Sequence, residues 1–389
     1  MTTKLLICIS DFRQGGIPRC LQSLLTHIDT ERVAVDVVCL SHEGPYSEQM
    51  PRCHVIAEDW QVAKWMVFTK KITVGNLIQN LPALCLKVYR KLIWRMLHRD
   101  VLTERLQRIG QGLRGYDVAI AYAEGYPAQV VEAMPCQRKL LWIHNDYAFG
   151  GARGGAVLTN YAAFNRIVCV SRATEESFRQ YLPQYAAQTC TLHNITNEEF
   201  ILKQAVQPLA DSAFHTDRFT ILSIGRICTQ KQFTAIPPIA KALKERGAPF
   251  RWYILGDGPE MEVKTLRQAI SACGVEQEVI LLGRRDTPYQ YLRQADLFAL
   301  TSLYESYPTV INEARCLGIP IIANAIPPSY EMLEENEGII VPNNQMAEVI
   351  SILMNDENVN GVSLNSMKRQ SFHNNNEKIM EAFYKLLNE

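Results

Sequence analysis

The sequence lacks the cysteine spacing of a zinc site or of a disulfide framework. Its eleven cysteines are scattered, with no C-x-x-C pair, and many lie in apolar runs. Such cysteines are typical of small buried side chains in a reducing compartment. The chain start leads directly into a strand pattern without the length or cleavage site of a signal peptide, and no apolar run reaches the roughly 18 residues that span a bilayer. We therefore expect a cytoplasmic protein.

Net charge is also absent. Lysine plus arginine and aspartate plus glutamate both number 40, so no bulk attraction to nucleic acid is expected. What is present is a chain of 389 residues with 47% hydrophobic and 21% charged residues, which is typical of a soluble protein with two domains of ordinary size.

Short apolar runs alternate with amphipathic segments along most of the chain, which predicts parallel sheets covered by helices. The predicted strands are Lys4–Ser10, Val33–Leu40, Val118–Tyr122, Lys139–His144, Arg166–Val170, Phe219–Ile224, Arg251–Leu255, Val279–Leu282, Leu297–Leu300 and Ile319–Ala323. So many strands exceed one sheet. The polar stretch 203–217 is interpreted as a linker, which gives domains 1–205 and 206–371 and a helical tail, 372–389.

One region carries most of the positive charge. Between Gln61 and Arg114 there are eleven Lys or Arg and two acidic residues, with aromatic residues interleaved. On a helix from Ala83 to Gln107, the apolar residues would share one face. Two interpretations remain open: a solvated helix that packs on its own domain, or an interfacial helix on anionic lipid. Nucleic-acid binding ranks third, because no nucleic-acid motif accompanies the charge.

Two carboxylates flank a predicted helix start. Pro308 and Thr309 indicate a helix start, since proline ends the loop and threonine can cap the helix, so Glu305 would lie in the preceding loop and Glu313 one turn inside. The first N–H groups, near Val310, would form an anion site. Carboxylates suit sugar hydroxyls and the helix start suits phosphate. The pattern alone is weak, since glutamates are common in the first turn of helices.

Cations and glycines follow two strands of the second domain. Gly225 and Arg226 end one strand, and Lys231 follows five residues later, which suits a diphosphate at the carboxyl edge of a parallel sheet. Gly283 and Arg284 end another strand, where glycine lets a flat base approach the main chain. Gly256-Asp-Gly258 is interpreted as a tight structural turn, because Met261 replaces the last glycine of a dinucleotide motif.

Polar residues also follow strands of the first domain. Gly15 and Gly16 lie between a strand and a helix and allow a phosphate or sugar to come close. His144 and Asn145 end a later strand, where a histidine is most often structural, although its place at a strand end favours a ligand role.

Taken in order, these pieces resemble glycosyltransferase family 4, the group 1 glycosyltransferases of GT-B fold. The resemblance spans most of the chain and is strongest from about Phe219 to Val341. The segments Tyr122-Ala-Glu-Gly125 and Trp142-Ile-His-Asn-Asp146 are similar to members that build bacterial capsules or exopolysaccharides. The resemblance implies two facing Rossmann-like domains with an interdomain cleft, the acceptor held mainly by the first and the nucleotide sugar by the second. It also implies that the tail helix returns to the first domain.

The resemblance also implies roles for residues. Arg226 and Lys231 would hold the diphosphate and Glu313 the ribose, while Glu305 and His144 would lie near the transferred sugar. The implied donor site consists of Gly225, Arg226, Lys231, Gly283, Arg284, Glu305, Pro308, Thr309, Val310 and Glu313. The implied acceptor side consists of Gly15, Gly16, His144 and Asn145. The implied catalytic residues are Glu305, His144, Arg226 and Lys231. The sequence departs from the family where glycines usually follow the lysine and the first glutamate: Gln232 and Ser306 stand there, and both could alter sugar selectivity.

The function expected from this resemblance is retaining transfer of a sugar, most often from a UDP-sugar, to a saccharide or lipid-linked acceptor in bacterial surface polysaccharide synthesis. No cofactor beyond the nucleotide sugar is expected. The chain has no Asp-x-Asp pair, which argues against the metal-dependent glycosyltransferase architecture, so no essential metal is expected. A nucleotide-sugar epimerase of the same fold and a non-catalytic membrane-surface scaffold are the alternatives. The basic region would bring the enzyme to the inner face of the plasma membrane.

Overall fold

The computed structural model describes residues 2–12, 15–41, 50–56, 100–147, 159–209, 211–247, 249–334, 336–355, 361–368 and 375–389, and the single positions 85, 86, 88, 89, 91–93, 95, 96 and 359. The chain divides into two compact units, Met1–Ile195 with Asn376–Glu389, and Thr196–Asn375.

The elements alternate between strand and helix as the sequence predicts. The strands are β1 (Thr3–Asp11), β2 (Val33–Ser41), β3 (His54–Ile56), β4 (Val118–Ala121), β5 (Arg138–Ile143), β6 (Arg166–Cys169), β7 (Thr189–Thr191), β8 (Phe219–Ile224), β9 (Phe250–Leu255), β10 (Val279–Gly283), β11 (Leu297–Leu300), β12 (Ile321–Ala323) and β13 (Ile339–Ile340). The α-helices are α1 (Gly16–His27), α2 (Val101–Gly112), α3 (Tyr126–Ala133), α4 (Arg172–Tyr181), α5 (Glu198–Ala205), α6 (Ile236–Glu245), α7 (Glu260–Cys273), α8 (Tyr289–Leu292), α9 (Thr309–Cys316), α10 (Pro327–Met332), α11 (Met346–Met354), α12 (Leu364–Lys368) and α13 (Asn376–Asn388).

Each unit is built on one parallel sheet. Among the described residues the first sheet has seven strands in the order β3-β2-β1-β4-β5-β6-β7, and the second has six in the order β10-β9-β8-β11-β12-β13. The central strands are apolar throughout because helices cover both faces: Leu5, Leu6 and Ile7 of β1 are fully buried. In a sheet of this kind ligands bind outside the carboxyl ends of the strands, so those ends are where a site is sought.

The tail helix α13 belongs to the first unit, where the resemblance placed the tail. Phe383 is fully buried and its ring meets that of Trp142 edge-on at 6.2 Å. The Tyr384 hydroxyl accepts a hydrogen bond from the backbone N–H of Asp29 (2.7 Å), and the Arg32 guanidinium lies 3.7 Å from the Tyr384 ring centre. Burial of the apolar face and a cation–π contact thus hold the chain end against the first sheet.

The boundary between the units falls earlier than predicted, at Ile195/Thr196 rather than after residue 205. The predicted linker, 203–217, is part of the second unit. Helix α5 packs its buried Ile201 near Tyr289, and Asp211 pairs with Arg285 at 2.7 Å. Phe214 is buried and its ring centre lies 4.6 Å from that of Tyr253. Because the stretch is mostly polar, the sequence did not predict these packing contacts and this ion pair.

A single helix from Ala83 to Gln107 is not present. Asp100 has an extended backbone, and its side chain accepts from the N–H of Leu102 at 3.2 Å, so it is the N-cap of the separate helix α2. The positions described between 85 and 96 are helical. Most of the basic region lies outside the described residues.

Candidate functional site

Lys231 and Glu305, predicted separately, meet at the carboxyl edge of the second sheet. The Lys231 side chain runs over Gly225, where an added Cβ would lie 3.1 Å from Lys231 Cε. Its Nζ forms an ion pair with Glu305 Oε1, and both side chains are largely buried. Because Gly225 has no side chain, the Lys231 side chain can pass over it to reach the Glu305 carboxylate.

Glu305 is held from several directions. The Ser302 hydroxyl donates to Glu305 Oε1 at 2.7 Å, and the Gln230 amide reaches Oε2 at 3.4 Å. The carboxylate is 8% exposed, so these donors and Lys231 replace the water that it loses on burial. Removal of one charge would leave the other buried without its opposite charge.

Arg226 differs from Lys231 in its surroundings. It is exposed, and none of the described residues accepts a hydrogen bond from it or forms an ion pair with it. The strand end thus carries one cation that a carboxylate already neutralises and one whose forked donors remain available to an anion.

Three glycine-bearing loops pack backbone to backbone beside these cations. A Cβ on Gly256 would lie 1.8 Å from the Gly225 carbonyl oxygen, and one on Gly258 would lie 2.0 Å from that of Ile227. The Gly256 N–H donates to the Gly283 carbonyl at 2.9 Å. The geometry supports the structural interpretation of Gly256-Asp-Gly258. Arg284, after Gly283, is exposed, with its guanidinium 3.6 Å from Asp286.

Helix α9 begins where the sequence predicts, but its cap differs. Pro308 occupies the N-cap position and Thr309 is the first helical residue, so Thr309 is not the capping residue that was predicted. The Thr309 hydroxyl instead donates to Glu313 Oε1 at 3.4 Å. Glu313, one turn inside, is 6% exposed. The first N–H groups of a helix lack carbonyl partners within the helix, so the Thr309–Val310 end offers donors and a positive dipole end.

In the first unit, His144 and Asn145 follow β5 as predicted. The His144 ring lies against Tyr122, with ring centres 5.0 Å apart, and its buried Nε2 has no hydrogen-bond partner among the residues that the structure describes. Burial lowers the pKa of the imidazole to about 3, so His144 is neutral at ordinary pH. It can therefore exchange hydrogen bonds with a ligand but cannot serve as a cation for phosphate.

Glu124 is a polar residue of this edge to which the sequence analysis assigned no role. It follows β4, is 7% exposed, and accepts hydrogen bonds from Asn145 Nδ2 (3.0 Å) and from the Tyr147 hydroxyl, which also contacts the Tyr161 hydroxyl at 2.5 Å. Burial raises the pKa of the carboxyl to about 7. The feature of the sequence that could have indicated a role for Glu124 is its position in Tyr122-Ala-Glu-Gly125, directly after a strand.

Gly15 and Gly16 form the N-cap and first residue of α1. Both are exposed, and an added Cβ on either would meet no atom of the described residues within 4 Å. Gly15 has an extended backbone, so neither its conformation nor the packing of the described residues requires glycine at this place. Their assignment to the acceptor side stays a prediction, as do the other assigned roles.

Among the described residues, no helix is long and apolar enough to cross a bilayer. Nor do the described parts of the chain contain a group of three His, Cys, Asp or Glu side chains that could hold a metal ion.

Comparison with solved structures shows the fold. The crystal structure of Anabaena HepE in complex with UDP and glucose is similar over the full length of both chains, with a TM-score of 0.68 and 19% identity. The crystal structure of Staphylococcus aureus TarM with UDP is similar over the same extent, with a TM-score of 0.70 and 15% identity. These likenesses concern the fold, and they confirm the predicted α/β fold of GT-B type with two parallel sheets.

Sequence comparison agrees with the resemblance. An uncharacterized glycosyltransferase of Haemophilus influenzae is 25% identical over 55% of this chain and 58% of its own length. The amylovoran biosynthesis glycosyltransferase AmsK of Erwinia amylovora is 29% identical over 34% of this chain and 35% of its own length. The chain thus spans about half or less of the curated relatives it matches here. The model of the glycosyl transferases group 1 matches residues 209–378, which contain Arg226, Lys231, Glu305 and Glu313, so the predicted resemblance to this family is confirmed over that part of the chain.

Proposed function

We propose that the protein transfers a sugar from a nucleotide sugar to a saccharide or lipid-linked saccharide acceptor, with retention of configuration, in bacterial surface polysaccharide synthesis. The observation that carries the proposal is the grouping of Arg226, Lys231 and Glu305 with the start of α9 inside the family-matched segment. UDP is the proposed carrier, because HepE and TarM crystallised with UDP. Amylovoran biosynthesis, named for AmsK, supports a polysaccharide product.

In this proposal the donor is held through its diphosphate and its nucleoside. Arg226 and Lys231 neutralise the diphosphate together with the N–H groups at the start of α9, from Pro308 through Thr309 to Val310. The Glu313 carboxylate accepts hydrogen bonds from the ribose hydroxyls. Gly225 and Gly283 let the main chain approach the ligand, and Arg284 borders the base.

The reaction follows from charge development. As the bond between the sugar and the diphosphate breaks, negative charge grows on the phosphate oxygens, where Arg226, Lys231 and the helix start stabilise it. An acceptor hydroxyl attacks the anomeric carbon from the face that the phosphate leaves, and its proton passes to a departing phosphate oxygen. Neutral His144 with Asn145 orients sugar hydroxyls, Gly15 and Gly16 leave space for the acceptor, and Glu305 holds Lys231 and faces the sugar. No metal ion is needed in this scheme.

The test is a thermal-shift and titration screen of nucleotide sugars, because a ligand that binds only the folded state raises its stability. Glu313→Ala should weaken binding of the selected donor by about tenfold or more, the value of a hydrogen bond to a charged group. Glu348→Ala, an exposed glutamate in the first turn of α11, is the control and should bind normally. Unchanged affinity in Glu313→Ala would remove the ribose assignment.

The same preparation discriminates among the remaining functions. Sugar transfer that continues in EDTA supports a metal-free enzyme, and its loss would overturn that part. A donor epimerised without acceptor would identify an epimerase. No nucleotide-sugar binding together with liposome binding would favour the scaffold.

A second part of the proposal concerns location: the basic region brings the enzyme to an anionic membrane surface where a lipid-linked acceptor resides. It is supported by Val88, Leu92 and Met96, which recur every four residues and are 51, 51 and 74% exposed. Lys91 and Arg95 on the same helical stretch are exposed. Exposed apolar residues beside cations are typical of helices that lie on anionic lipid.

A further inference from the structure

Side-chain amides join the carboxyl ends of β8, β11, β12 and β13 in the second unit. Asn343, just after β13, donates through Nδ2 to Gln232 Oε1 at 2.8 Å and to the Thr301 carbonyl at 2.9 Å. Its backbone N–H donates to Asn324 Oδ1 at 3.1 Å, and Asn324 in turn donates to the Ser302 carbonyl at 2.8 Å. The contacts cross the edge of the sheet at which the cations lie.

Gln232 has a backbone conformation that L side chains rarely adopt. Its φ is +48°, in the left-handed region, where glycine is favoured. It ends the short 3₁₀ turn Thr229–Lys231 and begins the next one, Phe233–Ala235. A strained residue of this kind persists only when its surroundings hold it, and such residues cluster at functional sites.

The orientation of the Asn343 amide is fixed by its partners. Both Nδ2 hydrogens are used, and one partner is a main-chain carbonyl, which cannot donate. The alternative orientation would face the Asn343 oxygen toward that carbonyl. The bond to Gln232 is therefore a directed one, from a donor that follows β13 to an acceptor next to Lys231.

The segment that this bond anchors carries Lys231. The Thr301 hydroxyl donates to the Lys231 carbonyl at 2.9 Å, and the Leu303 N–H donates to the Gln230 carbonyl at 2.8 Å. Lys231 Nζ then meets Glu305. The residue before the lysine, and the lysine itself, are thus fixed to the loop after β11, and Gln232 on the other side adds a link to Asn343, after β13.

We propose that Gln232, held by Asn343, is a positioning residue that fixes the Lys231–Glu305 pair for binding the diphosphate of the donor. The proposal rests on the proposed function, since it assigns the diphosphate to Lys231. The hydrogen bond from Asn343 ties the Gln232 side chain to the loop after β13. The Lys231 ammonium group therefore stays beside the Glu305 carboxylate until phosphate oxygens approach.

The test titrates UDP, GDP and ADP into the wild-type protein and follows the diphosphate that binds. Gln232→Ala and Asn343→Ala should each weaken its affinity about tenfold. The double variant should be no weaker than the single ones, because all three lack the same bond. Gln294→Ala, which removes a side-chain bond to the Gln290 carbonyl elsewhere in the unit, is the control and should bind as the wild type does.

Gln232→Gly separates positioning from folding. Glycine accepts the left-handed conformation, so the urea midpoint of unfolding should stay equal to the wild-type value or rise, while diphosphate affinity still falls about tenfold. Wild-type affinity in Gln232→Gly, or additive losses in the double variant, would overturn the positioning role and leave the proposed function standing. Failure of the wild-type protein to bind any of the three diphosphates would instead overturn the proposed function, and this inference with it.

Discussion

Two buried carboxyl groups, one in each unit, are stabilised by different kinds of partner. Glu305 stays beside the ammonium group of Lys231 and accepts from Ser302. Glu124 is bonded by neutral groups, the amide of Asn145 and the phenol of Tyr147. A carboxylate without a cation is disfavoured in a poorly solvated place, which is why burial raises the pKa of Glu124 to about 7.

The raised pKa of Glu124 predicts a pH dependence of stability. Below its ordinary pKa of 4.5 the carboxyl holds its proton in the folded and the unfolded chain alike. Between pH 4.5 and about 7 the unfolded chain releases this proton and the folded chain keeps it, so the free energy of unfolding falls as pH rises, by about 3 kcal/mol in all. Glu124→Gln removes this loss, so urea unfolding should show its stability relative to the wild type rising from pH 5 to 7.5.

The control for this experiment is Glu132→Gln, which changes a half-buried glutamate that accepts from Asn160 in the same unit. It should not reproduce the rise. A constant difference between Glu124→Gln and the wild type from pH 5 to 7.5 would show that the carboxyl keeps an ordinary pKa.

The sequence identified residues whose position after a strand or in a helix start is itself informative, such as Lys231, Glu313 and His144. It did not identify roles that depend on distant partners. Glu124 meets Asn145 and Tyr147 only when β4 and β5 are adjacent, and Asn343 meets Gln232 across 111 residues of sequence. Periodicity carries no information about such pairs.

At the scale of elements, the strand-end loops after β8, β9 and β10 act as one packed layer, since the glycines let their main chains touch. Gly256→Ala would place a methyl group 1.8 Å from the Gly225 carbonyl oxygen, at a residue with φ +155°. We expect it to lower the free energy of unfolding by about 1–3 kcal/mol or more and to weaken nucleotide binding, because the loop that carries Lys231 must shift.

Gly112→Ala is the control for this substitution. Gly112 lies at the end of α2, and an added Cβ there meets no atom of the described part of the chain within 4 Å. Alanine favours a helix, so this variant should be as stable as the wild type or slightly more stable. Urea unfolding and nucleotide titration measure both effects, and wild-type behaviour of Gly256→Ala would contradict the packing argument.

All ten predicted strands are present, each within two residues of its predicted ends. The strands that the sequence did not reveal, β3, β7 and β13, have three residues or fewer and lie at or near sheet edges. Such strands are defined by pairing with a neighbour, for example Asp36 with His54, rather than by an apolar run of their own. The prediction of a single helix over 83–107 was wrong for a related reason: the apolar pattern continues through Asp100, but Asp100 is the N-cap of a separate helix.

At the scale of the whole molecule, zero net charge conceals an uneven distribution. Between residues 61 and 114 eleven Lys or Arg face two acidic residues, so the remainder of the chain carries the compensating negative charge. A molecule with this asymmetry is expected to orient at an anionic surface even though it has no net charge to draw it there. Salt should weaken such an interaction, since ions screen exposed charges.

Flotation with anionic liposomes measures this association. Lys91→Gln with Arg95→Gln removes two exposed cations beside Val88, Leu92 and Met96. At about 1 kcal/mol for each cation near the surface, the pair should lower the membrane partition coefficient roughly 30-fold. Lys264→Gln with Arg267→Gln, two exposed cations on α7, should leave it unchanged. Flotation that is equal for both double variants, or that persists undiminished in high salt, would show that this charged stretch is not what attaches the protein to the bilayer.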